Sequence, residues 1–281
     1  MSIRLNVKTT QLANEVERYI IKKLNKNPPK SYAQITIKEL NSIKNATISR
    51  YPDNSSKITD NIIRSIRSGY MKNLMMNRHH YLLKNSDKII KAYNDDKDVL
   101  TLSGQFDISP LNILREVFTH KYKTKLTKII LNPDIISKYD AEQLKLAIDN
   151  DDYALIDNSE VMKESINFEK QIEEFLKSYN IKYLTQEDLV KEQIKTHGHP
   201  INTPDFLIKS DLYINNYKIN WIDGKNFYGS TVPFIKDKIK KQTKKYLDTW
   251  GSGSIIFSLG SNENLKYTNI LFLNFQNLID N

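Results

Sequence analysis

The feature that most constrains this chain is a change of hydrophobic period partway along it. In the first half, apolar residues recur at helical spacing. Leu12, Val16, Tyr19, Ile20 and Leu24 form one stripe, with Pro28-Pro29 as its expected stop. Ile58, Ile62, Ile63 and Ile66 form a second stripe that continues to Tyr70, and Ile89, Ile90 and Tyr93 mark a third helix. Val99, Leu100 and Leu102 run to Gly104, read as a turn. Ser109 then caps a new helix with Pro110 at its first position and Leu111, Leu114, Val117 and Phe118 on its buried face. Helix, turn and capped helix is the pattern of a helix-turn-helix, and equally of a plain helical hairpin. A connecting region follows, in which Asp140 is expected to cap a helix carrying Leu144, Ala147 and Ile148.

The second half changes character. A helix over about 166–178 has Phe168, Ile172, Phe175 and Leu176 on one face. Short apolar runs then predict strands at 181–184, 206–208 and 218–226, with Asn215-Asn216 as a turn before the third. A basic helix over 234–249 ends at Gly251 and Gly253, and two more strands follow at 254–259 and 270–275. The order helix, three strands, helix, two strands predicts an α/β layer. The expected domains are a helical, basic region over 1–125, a connecting helical region over 126–160 and an α/β domain over 161–281.

Composition narrows the function. With no cysteine in 281 residues, disulfides, zinc fingers and a thiol nucleophile are excluded. No apolar run reaches membrane-spanning length and the start lacks the apolar core of a secretion signal, so the expected setting is intracellular, nuclear or cytoplasmic. Residues 1–125 carry 23 Lys+Arg against 11 Asp+Glu, and the remainder 19 against 22. The net charge of +9 therefore lies wholly in the first half. Polyanion binding by that half is one reading, with Arg115, Lys121 and Lys123 as candidate contacts; compositional drift in an AT-rich genome is the other.

Asp223 and Lys225 stand two apart on a predicted strand and so share a face, while Gly224 between them leaves its carbonyl accessible to a cation. Asp205 starts the preceding strand, after Pro204. If those strands are neighbours, the two carboxylates end side by side and repel unless a cation joins them. Oxygen ligands without cysteine favour Mg²⁺ or Mn²⁺. On the helical wheel Glu169 lies about 60° from Ile172, Glu173 about 100° and Glu174 about 200°. Glu169 therefore borders the buried face. A surface Asp–Lys pair is the competing reading of the same residues. His197-Gly198-His199 reads as a loop, and Met71, Met75 and Met76 as core.

The blocks Thr203-Pro204-Asp205-Phe206, Trp221-Ile222-Asp223-Gly224-Lys225, and Gln242 to Tyr246 through Trp250-Gly251-Ser252-Gly253 resemble the TPD-motif family of the PD-(D/E)xK nuclease superfamily, which includes the vertebrate codanin-interacting nuclease. The resemblance covers about residues 168–260 and is looser over 49–125, where the family has helix-turn-helix elements. It implies a restriction-endonuclease-like α/β domain preceded by an all-α domain, and Mg²⁺-dependent hydrolysis of DNA, with branched or flapped substrates in view. It also implies a codanin-like protein partner. Carried over by position, Asp205 and Asp223 hold the metal, to which the accessible Gly224 carbonyl read above is added as a candidate ligand; Lys225 and Glu169 are catalytic, and Gln242 lies near the scissile phosphate. Tyr246 is expected to pack. Asp223 stands where the vertebrate relative has Glu. Lys236, Lys238, Lys240, Lys241, Lys244 and Lys245 make the following helix basic. Lys241 and Lys245 are the expected backbone contacts there, with a solvated helix face as the alternative. An inactive DNA-binding module or a protein adaptor are the competing functions.

Overall fold

A computed structural model describes residues 2–9, 11–26, 32–153 and 159–279. The expected helix stop at Pro28-Pro29 lies outside the described residues. In chain order the elements are β1 (Ile3–Leu5), α1 (Asn14–Lys26), α2 (Ile37–Arg50), α3 (Asp60–Lys84), α4 (Ser86–Asn94), α5 (Val99–Phe106), α6 (Pro110–Tyr122), α7 (Leu126–Leu131), α8 (Lys138–Asp149) and α9 (Ser159–Ser178). There follow β2 (Tyr183–Thr185), α10 (Gln186–His197), β3 (Phe206–Ile208), β4 (Leu212–Ile214), β5 (Tyr217–Lys218), β6 (Trp221–Lys225), α11 (Pro233–Trp250), β7 (Gly253–Phe257), β8 (Ile270–Asn274) and α12 (Phe275–Ile279). The chain is mixed α/β with two small mixed sheets. None of the described helices is long and apolar enough to cross a membrane.

Two compact units do not follow the linear order that composition suggests. One comprises Met1–Ile20, Ala46–Ile66 and Ser159–Asn281; the other comprises Ile21–Asn45 and Arg67–Asn158. The basic front segment is therefore divided between them.

The first unit is built on a five-stranded sheet in the order β2-β3-β6-β7-β8. β2, β3 and β6 are antiparallel neighbours, whereas β6, β7 and β8 run parallel. A helix must cross over between parallel neighbours, and α11 does so between β6 and β7. Alternation sends Phe206, Ile208, Ile222 and Ile256 to one face, where Phe168, Ile172, Phe175 and Leu176 of α9 cover them. Leu207, Trp221, Ile255 and Phe257 go to the other, against Ile239 and Tyr246 of α11. Burying each of these large side chains is worth roughly 1.5–3 kcal/mol. The expected strand over 218–226 is instead divided. β5 pairs with β4 through a turn at Asn215-Asn216, both at positive φ, and only β6 joins the main sheet. β1 pairs with β4, so the chain's first strand belongs to this unit's second sheet. A further helix, α10, carries a reciprocal cap: Thr185 receives the Asp188 N–H while Asp188 receives that of Thr185.

The second unit is helical, with α6 packed against α4, α5, α7 and α8. The expected turn at Gly104 is corrected: Gly104 lies inside α5, and the chain turns at Asp107, whose φ is 52°. Asp98 caps α5 and Ser109 caps α6, as its sequence suggests. The expected cap of α8 is also corrected. Ser137 is the N-cap, and Asp140 is fully buried inside the first turn. Its carboxylate accepts Tyr93 Oη at 2.8 Å, Ser137 Oγ at 2.8 Å, Lys121 Nζ at 2.6 Å and the Tyr122 hydroxyl. Burial alone would raise this carboxyl. The Lys121 ammonium and the three hydroxyls more than offset it, and the pKa lies below the ordinary value.

Candidate metal and phosphate site

Asp205, Asp223, Gly224, Lys225, Glu169 and Gln242 line one cavity of about 240 Å³ in the first unit. Its position follows from where pairing stops. β3 pairs with β6 only through Ile222 and Trp221, so Asp205, just before β3, lies opposite the end of β6 that is paired with β7 on its other side but not with β3. Asp205 Oδ2 accepts the Gly224 N–H at 2.7 Å. This carboxylate thus takes up a strand donor that the ladder leaves without a partner.

Gly224 matters by what it lacks. A Cβ there would lie 2.8 Å from Ile172 Cδ1 and 3.4 Å from Phe168 Cε1. Without one, α9 closes onto β6 and half-buried Glu169 comes within electrostatic reach of Asp223 and Lys225. The helical-wheel order is reproduced: Glu173 is engaged by Tyr183 and Lys177, and Glu174 is exposed.

Asp223 is buried, and α11 secures one of its oxygens. Oδ1 accepts Gln242 Nε2 at 3.1 Å and Tyr246 Oη at 3.2 Å, and Gln242 donates to Tyr246 Oη at 2.9 Å. Tyr246 also rests on Trp221, ring centres 5.0 Å apart. The expectation that Tyr246 only packs is therefore incomplete, since its hydroxyl touches the acid. The signal was its position four residues after Gln242, on the same helix face. The other oxygen, Oδ2, is buried without a conventional hydrogen bond, and its contact is the ion pair with Lys225 Nζ.

The electrostatics are unbalanced. Asp205 is pushed above the ordinary carboxylate range by burial and by Asp223, against the opposing effects of Lys225 and the Gly224 N–H. Glu169 is raised by burial and by Asp223. Burial alone would lower Lys225, but Asp223, Asp205 and Glu169 outweigh it and hold the ammonium charged. Among the described residues no group of three or more His, Asp or Glu is placed to enclose a metal by itself. Mg²⁺ commonly uses one or two carboxylates and completes its shell with water and phosphate oxygens. Asp205 and Asp223 fit that demand, as an acid pair whose charge one ammonium does not balance.

A second cavity, of about 550 Å³, shares Lys225, Gln242 and Tyr246 and is flanked by Lys238, Lys241 and Lys245. These three exposed lysines recur on one side of α11, so the six-lysine run divides. Lys236, Lys240 and Lys244 do not line this cleft. Gln186, at the start of α10, lines both cavities and was missed in the sequence, although the T-x-x-D cap before α10 signals that helix. The first-half candidates belong to the other unit. Arg115 is exposed and bonds the Asn112 side chain, Lys121 is tied to Asp140, and Lys123 ends α6 at positive φ. His197 ends α10, and Gly198 at φ 77° caps it.

Residues 137–275 match the model of a family described as a protein of unknown function with the TPD sequence motif. An uncharacterized protein of Acanthamoeba polyphaga mimivirus is 27% identical over 214 residues, which are 74% of this chain and 66% of that protein. The chain thus spans just under two thirds of the length of this curated relative. No solved structure matches the chain.

Proposed function

We propose that the protein is a metal-dependent nuclease that hydrolyses phosphodiester bonds in DNA. The observation that carries this reading is the meeting of Asp205, Asp223, Glu169 and Lys225 in one cavity that continues along a lysine-flanked cleft. The order α9, β2, β3, β6, α11, β7, with α10 and the β4–β5 pair inserted between those strands, also supports the restriction-endonuclease-like core that the resemblance implies.

Asp205 and Asp223 would hold Mg²⁺ or Mn²⁺, which when bound supplies Lewis-acid charge at a phosphate oxygen. The remaining work belongs to the chain. Lys225 presents positive charge where the phosphate oxygens gain negative charge as water attacks phosphorus and the ester oxygen leaves. Glu169 is the half-buried acid suited to take a proton from that water. Gln242 and Tyr246 hold Asp223 Oδ1, which leaves Oδ2 to pair with Lys225. Lys238, Lys241 and Lys245 hold the phosphate backbone, so affinity falls as salt rises.

The test uses the full chain with Mg²⁺ or Mn²⁺ on linear, flapped and branched DNA and on RNA. Lys225→Ala and Asp223→Ala each lower cleavage by about 100-fold or more while the far-ultraviolet spectrum is unchanged. Equal cleavage by wild type and Asp223→Ala would sink the proposal. Tight binding without cleavage of any substrate would make the protein a binding module.

A further inference from the structure

The first unit holds another cavity, of about 380 Å³, away from the acids. It lies where β7 and β8 end. Ser258, Gly260 and Ser261 follow β7, and Asn274 is the last residue of β8. Lys57 and Thr59, from the segment before α3, form another part of the wall. Crevices outside the carboxyl ends of parallel strands are where small ligands collect, and their sites measure roughly 300–1,000 Å³.

The same sheet edge therefore carries two cavities, one at the end of β6 and one at the ends of β7 and β8. The partition between them is well tied. Ser258 N donates to Lys225 O at 3.0 Å, Gly229 N to Gly260 O at 2.9 Å, and Asn262 N to Gly229 O at 2.9 Å. A Cβ on Gly229 would lie 2.7 Å from Phe257 Cζ and 2.8 Å from Ser261 Cβ, so this wall has no slack.

Charge separates the two cavities. The first gathers three acids. The second has no carboxylate in its wall and one ammonium, Lys57. Lys57 Nζ donates to Gln11 O at 3.1 Å, which fixes its position and leaves further N–H donors on the same nitrogen. Thr59, Ser258, Ser261 and Asn274 share the wall with it; Thr59 Oγ1 accepts Ile62 N at 3.3 Å and Ser261 Oγ accepts Gln11 Nε2 at 3.5 Å, which leaves each of these two hydroxyls its proton to donate. Asn274 Oδ1 accepts Gln276 N at 3.2 Å, so its NH₂ group remains a donor. Ser258 Oγ is buried with no hydrogen-bond partner. Leu12 and Ile62 add an apolar patch. A cation, several neutral donors and no acid select an anion, and the apolar patch and volume leave room for an organic body beside it.

We propose that this cavity is a second ligand site that takes a phosphomonoester on a nucleoside, with Lys57 as its charged anchor. The phosphate belongs either to a free mononucleotide or to the phosphorylated end of a nucleic acid. The site stands independently of the nuclease reading.

The test is calorimetric titration of the full chain, without divalent metal, with a nucleoside 5′-monophosphate, the same nucleoside, and a short oligonucleotide with and without a 5′-phosphate. The monophosphate binds saturably with Kd below about 1 mM, and removing the phosphate weakens binding by about tenfold or more. Lys57→Gln keeps a donor for Gln11 O and gives a similar loss with an unchanged melting curve. Amide resonances of Ser258, Gly260 and Ser261 shift in the wild type, a readout that needs no variant. A gain from the oligonucleotide's 5′-phosphate assigns the site to nucleic-acid ends. Binding of the free monophosphate without that gain assigns it to a small molecule. No saturable binding, equal binding of nucleoside and monophosphate, or the same loss in Lys225→Gln as in Lys57→Gln overturns the proposal.

Discussion

Asp140 in the helical unit and Asp205 in the sheet unit are the same residue type, one fully buried and one half-buried, yet they are treated in opposite ways. Asp140 is surrounded by donors: Tyr93, Tyr122, Ser137 and Lys121 all reach it, and its pKa falls. Asp205 has one backbone donor and a second acid beside it, and its pKa rises. Glu17, in the same unit as Asp205, resembles Asp140 instead. It is fully buried and accepts Tyr228 Oη at 3.1 Å, Ser230 Oγ at 2.7 Å, Thr231 N at 3.0 Å and Asn262 Nδ2 at 2.5 Å. The lesson is that burial alone does not mark a functional acid. A buried carboxylate saturated with donors ties segments together, whereas crowded carboxylates sharing one ammonium hold an unmet demand for positive charge.

The largest stability effect expected from this contrast is at Asp140. Asp140→Ala strands the Tyr93 and Tyr122 hydroxyls and costs about 3 kcal/mol in urea unfolding of the full chain. A loss under about 1 kcal/mol would show the cluster to be dispensable. Asp205→Asn goes the other way. It replaces a carboxyl that burial and Asp223 make costly to ionise and keeps a side-chain oxygen for the Gly224 N–H, so metal-free stability near neutral pH rises by about 1 kcal/mol while the proposed metal-dependent cleavage is lost. Destabilisation of both variants to the same extent would erase the distinction.

The pH dependence carries the same contrast in smaller steps. Asp140 has a lowered folded pKa, so its contribution is present above about pH 4 and disappears as pH falls through the folded value. Asp205 has a raised folded pKa. Its site is most stable below about pH 4 and loses stability as pH rises towards the folded value. Urea midpoints at stepped pH should show the acid-side loss weakened in Asp140→Asn and the loss at higher pH weakened in Asp205→Asn. Tyr246→Phe is the smallest change. It removes one hydrogen bond to Asp223, costs about 1 kcal/mol, and lowers cleavage less than Asp223→Ala does. A Tyr246→Phe variant as inactive in the proposed cleavage as Asp223→Ala would give the hydroxyl a larger role than holding an oxygen in place.

Much of the sheet unit was legible because its signals are local. Asp223 and Lys225 share a face by strand alternation, Ile172 and Glu169 are related by the helix period, and Asn215-Asn216 announces its turn. The errors have physical causes too. Residues 218–226 are apolar enough for one strand, and only pairing partners divide them between two sheets. Gly104 suggests a turn, but a glycine inside a helix costs only about 1 kcal/mol, which the apolar residues around it outweigh. The role of Glu17 leaves no sign in the sequence, because its donors lie more than 200 residues away.

By itself the sequence determined the types and spacings: two acids and a lysine around a glycine, a helix that borders them with Glu169, and a lysine-rich helix that follows. Short-range sterics and periodicity suffice for those. The tertiary structure decided which charges matter. It turned Lys238, Lys241 and Lys245 to the cleft, tied Lys121 to Asp140, gave Asp223 two partners on α11, and enlisted the chain's first strand in the sheet unit. Whether a charge is satisfied depends on groups distant in sequence and close in space, and packing alone brings them together.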